Sequence, residues 1–154
     1  MIKIERILFP TDFSACSKHA LTYALDFATE RGAKLYILHV IPKLNMPVGT
    51  GGLSYPVSKI YDDMEREAKK QIHRLVPKRF LEKIKVENII MRGSPFLEII
   101  KAARKYDIDL ITIATHGRKG LSHALLGSTA EKVVRTAPCP VLCVKHPEHE
   151  FVLP

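Results

Sequence analysis

The fold is decided by residues 4–41, IERILFPTDFSACSKHALTYALDFATERGAKLYILHVI. The apolar run at residues 4–9 predicts a short strand, which ends at the Pro-Thr-Asp that follows it. Apolar residues then recur at three- and four-residue spacing over residues 14–31, which is typical of an amphipathic helix, and Gly32 closes that helix. Residues 35–41 are apolar nearly throughout, as buried parallel strands are. This stretch predicts a β-α-β unit.

The same alternation continues along the rest of the chain. Further strands are predicted at residues 84–91, 109–115 and 141–145, and further helices at residues 57–76, 94–106 and 128–135. Strands and helices that alternate in this way require a parallel sheet with helices on both faces, so the fold class is α/β with an open five-stranded sheet. We expect one domain over residues 1–146 and a loose tail at residues 147–154.

The composition indicates one soluble domain. The chain has 154 residues, of which 46% are hydrophobic and 26% charged, a balance that can bury a sizeable core. No apolar stretch approaches the roughly 20 residues that cross a bilayer, and the charged residues near the N-terminus disfavour a signal peptide. Three cysteines give no disulfide framework, which fits a reducing compartment, and we expect a cytoplasmic protein.

The chain is basic, with a net charge of +8, and half of its 24 Lys and Arg residues lie within residues 66–105. Such a balance is found in proteins that bind nucleic acids, membrane surfaces or small anions. We favour the simpler interpretation of a solvated helix face. The basic stretch lacks the interleaved aromatic side chains of a stacking platform, which disfavours nucleic acid as a partner.

Ligands of open parallel sheets bind at the carboxyl ends of the strands, where the strand order reverses. Three segments that follow predicted strands are unusual in composition. They are Pro10-Thr11-Asp12, Val40 with the Gly- and Pro-rich loop over residues 42–56, and residues 115–129. We predict that the functional site lies among these segments, and that the loop is long and mobile.

The third segment belongs to the stretch ATHGRKGLSHALLGSTAEKVVR, residues 114–135. Gly117 and Gly127 bracket nine residues, and Ser128 and Thr129 follow at a predicted helix start. Glycines let the backbone approach a phosphate closely, and the free N–H groups of a helix N-terminus favour an anion. The two hydroxyls add further hydrogen-bond donors.

Positive charge accompanies this pattern at Arg118 and Lys119, which also suits a phosphate. A purely structural interpretation competes with it. Ser128-x-x-Glu131 has the spacing of a capping box, and Gly127 would then be only a turn residue. From the residues alone, both interpretations stay open.

The pattern resembles the nucleotide motif of the ATP-binding universal stress proteins, G-x2-G-x9-G-(S/T). The second and third glycines match Gly117 and Gly127, the hydroxyl residue matches Ser128, and the first glycine is replaced by Ala114. The resemblance extends over nearly the whole chain. The stretches ILFPTDFS, LYILHV and APCPVLCVK, at residues 7–14, 35–40 and 137–145, are also similar to blocks of that family.

The resemblance implies a Rossmann-like sheet in strand order 3-2-1-4-5 and a binding site for ATP with Mg²⁺ or Mn²⁺ on its phosphates. It places Pro10, Thr11 and Asp12 at the adenosine end of the pocket and Val40 against the adenine. Around the ribose and phosphates it places Ala114, Thr115, Gly117, Arg118, Gly127, Ser128 and Thr129. Asp12 suits a ribose hydroxyl or an adenine amino group, and its alternative role is to cap the first helix.

The resemblance also implies a homodimer in which residues 141–145, from Val141 to Lys145, pair across a two-fold axis. Such pairing would cover an exposed apolar edge strand. We therefore expect a nucleotide-dependent regulator, read by an unknown protein partner. Two alternatives stay open: a slow ATPase or autophosphorylating enzyme with Ser128 or Thr129 as acceptor, and a dimeric scaffold or chaperone without nucleotide, which Ala114 would favour. No G-x-x-x-x-G-K-(S/T) is present, so a P-loop is excluded.

Overall fold

The computed structural model describes residues 2–44, 56–117 and 126–147. The strands in this part of the chain are β1 (Arg6–Thr11), β2 (Lys34–Pro42), β3 (Val86–Gly93), β4 (Leu110–Ala114) and β5 (Val141–Val144). The helices are α1 (Ala15–Arg31), α2 (Val57–Leu75), α3 (Lys78–Leu81), α4 (Pro95–Lys105) and α5 (Ser128–Thr136).

The five strands form one parallel sheet in the order β3-β2-β1-β4-β5, which confirms the expected fold class and strand order. Each face of the sheet carries its own hydrophobic cluster. One face packs against α1 and α2, and the other against α4 and α5. Both faces are covered because the strands bury side chains on each side. In β1, Ile7 and Phe9 point to the α1 side and Leu8 to the other, and all three are fully buried.

The helix boundaries follow from local signals in the sequence. Ser14 caps α1, where its side chain accepts a hydrogen bond from the N–H of Ser17 at 3.2 Å. Gly32 ends α1 in the left-handed conformation, at φ 62°, as predicted. Pro95 opens α4 with Ser94 at the N-cap, also as predicted, although the Ser94 side chain makes no capping hydrogen bond.

Strand β1 lies two residues further along the chain than predicted. Its start is delayed because the N–H groups of Glu5 and Arg6 both donate to Asp109 Oδ2, each at 2.9 Å. Its end is extended because Pro10 and Thr11 pair with β2 beyond the point where β1 leaves β4. A proline lacks a ladder donor, and it is tolerated where the strand has only one neighbour.

Strand β3 is shifted in the same direction, and a short helix precedes it that the sequence did not predict. Helix α3 follows Pro77, and the N–H groups of Lys83 and Ile84 donate back to the carbonyl of Phe80. The second of these bonds occupies Ile84, which we had assigned to the strand. The pairing therefore begins at Val86.

Two predictions concern residues outside the described part of the chain. These are most of the predicted mobile loop (residues 45–55) and nearly all of the predicted tail (residues 148–154). Across the described ranges, every helix is too short or too polar to traverse a bilayer.

Candidate functional site

A cavity of about 390 Å³ opens at the carboxyl ends of β1, β2 and β4. Strand β1 pairs with β2 over its whole length, but with β4 only at Ile7 and Leu8. Strands β1 and β4 therefore separate beyond Leu8 and leave space for the cavity at their carboxyl ends. This is the position where the strand order reverses, and where ligands of such sheets bind.

Ten of the eleven predicted site residues line this cavity: Pro10, Thr11, Asp12, Val40, Ala114, Thr115, Gly117, Gly127, Ser128 and Thr129. The remaining one, Arg118, lies outside the described residues, as does Lys119. The topology thus brings three separate segments of the sequence to one place.

The turn after β1 holds Asp12 through local hydrogen bonds. Asp12 Oδ1 accepts from the N–H of Ser14 at 3.0 Å, and Thr11 Oγ1 accepts from the N–H of Phe13 at 3.0 Å. Phe13 has a positive φ of 64°, which is uncommon for a bulky residue, and its ring stacks on His39 with 4.4 Å between centroids. The alternative role of Asp12 as the N-cap is wrong, because Ser14 occupies that position.

Asp12 lies directly beside Gly117 on the segment after β4. A Cβ atom built on Gly117 would come within 2.7 Å of Asp12 Oδ2, closer than real Cβ contacts. Glycine is needed at this position for space, since any side chain would displace the carboxylate. The two loops that follow β1 and β4 therefore meet at this pair.

Helix α5 begins inside the cavity wall without a side-chain cap. Gly127 is the N-cap residue, and because it has no side chain it makes no capping hydrogen bond to the first N–H groups. The capping-box interpretation is therefore wrong: Ser128 is already helical, and the Glu131 carboxylate pairs instead with Arg135 at 3.2 Å. The first N–H groups of an α-helix have no partner within the helix, and they favour an anion.

Gly127 is also held close to the end of β4. Its N–H donates to the carbonyl oxygen of Thr115 at 2.7 Å, and a Cβ on Gly127 would come within 3.1 Å of the same oxygen. A side chain here would press on the backbone after β4. Glycine at this position thus lets the start of α5 approach the strand closely.

The replaced first glycine of the motif, Ala114, is accommodated by the core. Ala114 is 8% exposed, and it belongs to the hydrophobic cluster on the α1 side of the sheet. Its extra methyl group therefore packs with apolar neighbours of that cluster. The alanine that replaces the first glycine of the motif therefore does not by itself close the cavity.

Eight further residues line the cavity that sequence reasoning did not assign to the site: Ser17, Leu38, Pro95, Ile99, Ile113, His116, Leu126 and Ala130. Two of them are polar and buried. Ser17 Oγ lies 2.8 Å from Thr11 Oγ1, and His116 Nδ1 lies 3.1 Å from Thr115 Oγ1. Ser17 follows the N-cap by one helical turn, a spacing that could have indicated it. Pro95 and Ile99 reach the cavity only through tertiary packing of α4.

The described residues contain no group of three or more His, Cys, Asp or Glu side chains arranged to hold a metal ion. The three cysteines, all within the described ranges, form no disulfide. Burial raises the pKa of both Cys139 and Cys143, and the charge of Asp109 raises the pKa of Cys139 further.

Comparisons with known proteins agree with this architecture. The model of the universal stress protein family matches residues 3–145. The universal stress protein MJ0531 of Methanocaldococcus jannaschii is 34% identical over 150 residues, which cover 95% of this chain and 85% of that protein. MJ0577 of the same organism is 32% identical, over 94% of this chain and 96% of that protein.

Solved structures show the same similarity. The structure of MJ0577 matches with a TM-score of 0.81, covering 96% of this chain and 99% of that one. UspA from Lactobacillus plantarum, 26% identical, also has a TM-score of 0.81, over 92% of this chain and 98% of that one. Two more distant structures share the fold, each covering 93% of this chain and 98% of theirs. One, 22% identical with a TM-score of 0.62, was solved with cAMP, and the other, from Archaeoglobus fulgidus, 24% identical with a TM-score of 0.61, with dAMP. With a family match over nearly its whole length and relatives above 30% identity, the chain belongs to the universal stress protein family.

Proposed function

We propose that the cavity binds an adenine nucleotide, with ATP as the ligand and Mg²⁺ or Mn²⁺ on its phosphates. The observation that supports this most strongly is the start of α5, where the N-cap is Gly127, which has no side chain to cap the first N–H groups. These groups open into a cavity whose size is typical of small-molecule sites. A phosphate would satisfy them and gain from the helix dipole.

The apolar part of the cavity suits the adenine base. Its lining there includes Pro10, Leu38, Val40 and Ile113, which are apolar side chains from three strands. Asp12 adds one carboxylate beside this apolar surface, and a carboxylate accepts hydrogen bonds from ribose hydroxyls or from an amino group. An apolar pocket with a few placed polar groups is the usual composition of a nucleotide or cofactor site.

The phosphate end would be formed by Gly117, Gly127, Ser128 and Thr129, with Arg118 as a further predicted contact. The two hydroxyls supply donors beside the helix N-terminus. Because the described residues include no metal-binding cluster, the phosphates themselves would provide the main ligands of the divalent ion. The ion would neutralise phosphate charge and would make binding depend on magnesium.

We place this activity in a regulator of the stress response, on the ground of family membership. A bound nucleotide that favours one conformation would be read by a protein partner. Three cysteines that form no disulfide fit a cytoplasmic location.

The regulator would be a homodimer that pairs through β5. Strand β5 is at one edge of the sheet, with half-buried residues along most of its length. The carbonyls of Pro140 and Val144 accept hydrogen bonds from β4, so the alternate residues Val141 and Cys143 direct their backbone groups to the open edge. Sedimentation velocity should show that the protein is a dimer. Cys143→Pro removes one outward-facing N–H donor, so this variant should sediment as a monomer. Its circular dichroism spectrum should show that it is still folded.

The nucleotide proposal is tested first by analysing small molecules released from the purified, heat-denatured protein. Mass spectrometry and ultraviolet absorbance should reveal an adenine nucleotide, and calorimetric titration of the stripped protein should show saturable binding of ATP with magnesium. A protein that carries no nucleotide and gives no heat with ATP, ADP or AMP would overturn the proposal.

Two variants test the orientation of the ligand. Asp12→Ala should weaken adenosine and ATP alike, by about tenfold, because it removes a charged acceptor near the ribose. Ser128→Ala should weaken ATP by about fivefold and leave adenosine unchanged. Glu30→Ala and Thr136→Ala remove a carboxylate and a hydroxyl on α1 and α5 away from the cavity, and both should bind as the wild type does. Equal loss of adenosine and ATP in Ser128→Ala would contradict the orientation.

A further inference from the structure

A second cavity, of about 430 Å³, lies on the α1 side of the protein, away from the proposed nucleotide site. It is a groove between the outer face of α1, the C-terminal end of α2 and the short helix α3. The two cavities share no lining residue. The two cavities come near each other on α1, where Ser17 lines the first cavity and the next residue, Lys18, lines the second.

The floor of the groove is apolar. It is formed by Leu21 and Leu25, which are 4% and 3% exposed, and by Leu75 and Phe80, which pack partly buried against the same core cluster. These side chains are fixed by the core beneath them. The floor is therefore a preformed apolar surface and not a gap between mobile surface residues.

The rim of the groove is basic. Lys18, Arg74 and Arg79 are exposed around it, against a single carboxylate, Asp26. Within the described part of the chain, none of these four groups takes part in an ion pair. The Arg79 guanidinium lies over the ring of Phe80, 5.0 Å from its centroid, and is thereby held at the edge of the floor.

The geometry and charge point to a specific class of ligand. Of the cations in the basic region, Arg66, Lys69, Arg92 and Lys101 are paired with carboxylates. The three cations of the groove are left for an external anion, and the floor offers apolar contact beside them. We propose that this groove is a second binding site, which takes a small organic anion with an aromatic or aliphatic body and one carboxylate, sulfonate or phosphate group.

The proposal is tested with 8-anilinonaphthalene-1-sulfonate, which combines an aromatic body with one anionic group, and with the neutral N-phenyl-1-naphthylamine. Binding is followed by fluorescence, and its position by amide chemical shifts in ¹⁵N spectra. We expect saturable binding of the sulfonate, with shifts at Thr22 and Leu25, and at least fivefold weaker binding of the neutral probe. Arg74→Gln and Arg79→Gln should each weaken the sulfonate by about threefold and together by about tenfold, because each removes one exposed charge.

The matched control is Lys78→Gln with Lys83→Gln, which removes two nearby cations that do not line the groove and should leave the affinity within twofold. All of these residues are exposed, so the variants should fold as the wild type does.

Three results would overturn the proposal. The first is that the sulfonate shows no saturable binding, or that the control variant weakens its binding as much as the Arg variants do. The second is shifts confined to Thr115 and Gly127, which would place the probe in the other cavity. The third is a changed sedimentation coefficient of the Arg variants without probe, which would make the groove an interface between copies of the chain. A failed ATP titration would leave this test unaffected.

Discussion

Substitution of Gly117 by alanine should displace Asp12, the carboxylate on the neighbouring loop. A Cβ on Gly117 would lie 2.7 Å from Asp12 Oδ2, whereas ordinary contacts begin at 3.4 Å. The carboxylate must therefore retreat by about 0.7 Å. It cannot retreat freely, because its other oxygen accepts the 3.0 Å hydrogen bond from the N–H of Ser14.

The size of the effect follows from that hydrogen bond. A hydrogen bond to a charged group contributes about 1.5–3 kcal/mol, and the partial exposure of Asp12 puts its loss at the lower end of this range. We expect Gly117→Ala to lower the free energy of unfolding by about 1.5 kcal/mol. If Asp12 also contacts the nucleotide, the affinity for adenosine and ATP should fall by about tenfold, which corresponds to about 1.4 kcal/mol.

A double-mutant cycle with Asp12→Ala measures this coupling directly. Free energies of unfolding come from urea titrations and affinities from calorimetry, for the wild type, both single variants and the double variant. Because Asp12→Ala removes the atom that the new methyl group would strike, Gly117→Ala should then cost less than about 0.5 kcal/mol in either assay. If the alanine costs the same with and without the Asp12 carboxylate, the contact between the two loops does not explain the need for glycine.

Three further changes test the rest of the fold. Thr112→Val should raise the free energy of unfolding by about 1 kcal/mol, because Thr112 Oγ1 is buried and has no hydrogen-bond partner among the described residues. Gly93→Ala should lower it by about 2 kcal/mol, since Gly93 has a φ of 155° and its Cβ would come within 2.7 Å of Glu98 Oε1. Hydrogen bonds from Lys69 and, to a smaller extent, from Arg92 lower the pKa of Glu65. The Glu65 carboxylate therefore stabilises the fold at pH values above its unfolded pKa, and this contribution is lost as the pH falls through its folded pKa. Glu65→Gln should therefore be slightly less stable than the wild type at pH 7, with the difference closing as the pH falls through the folded pKa and in high salt. Urea unfolding measures all three.

Each of these changes has a matched control. Thr22→Val alters an exposed threonine that bonds a helix carbonyl, and should not stabilise the protein. Gly32→Ala introduces a side chain at φ 62° with no atom within 4 Å, so it should cost only about 1 kcal/mol and less than Gly93→Ala. Glu67→Gln removes a carboxylate bonded to a neutral side chain, and should not lower the free energy of unfolding at pH 7. If a control variant changes the free energy of unfolding as its test variant does, the corresponding argument is contradicted.

The sheet could be predicted from the sequence because its signals are local. Runs of buried apolar residues, Gly32 after the first helix and Pro95 at the start of α4 each fix an element without reference to the rest of the chain. The boundaries of β1 and β3 were less predictable. They depend on Asp109, far away in sequence, and on backbone bonds to Phe80 within a turn.

The candidate site could be anticipated from glycines and hydroxyls after the strands, but their roles could not. The spacing of Ser128 and Glu131 fits a capping box, and only the structure shows that Glu131 turns to Arg135. Pro95 and Ile99 carry no local sign of a site, because α4 reaches the cavity by packing beside α5. Contacts between distant segments decide such roles, and no pattern within a segment records them.

The positive φ of Phe13 bears on what a ligand has to supply. A left-handed backbone costs a non-glycine residue about 1 kcal/mol, and here folding meets that cost through the stacked His39 ring and the surrounding core. The turn that holds the Asp12 carboxylate is thus rigid before any ligand arrives. Binding then loses little conformational entropy at this turn, so the ordering of the turn subtracts little from the affinity of a ligand. A substitution that loosens the stack would weaken binding without touching the ligand.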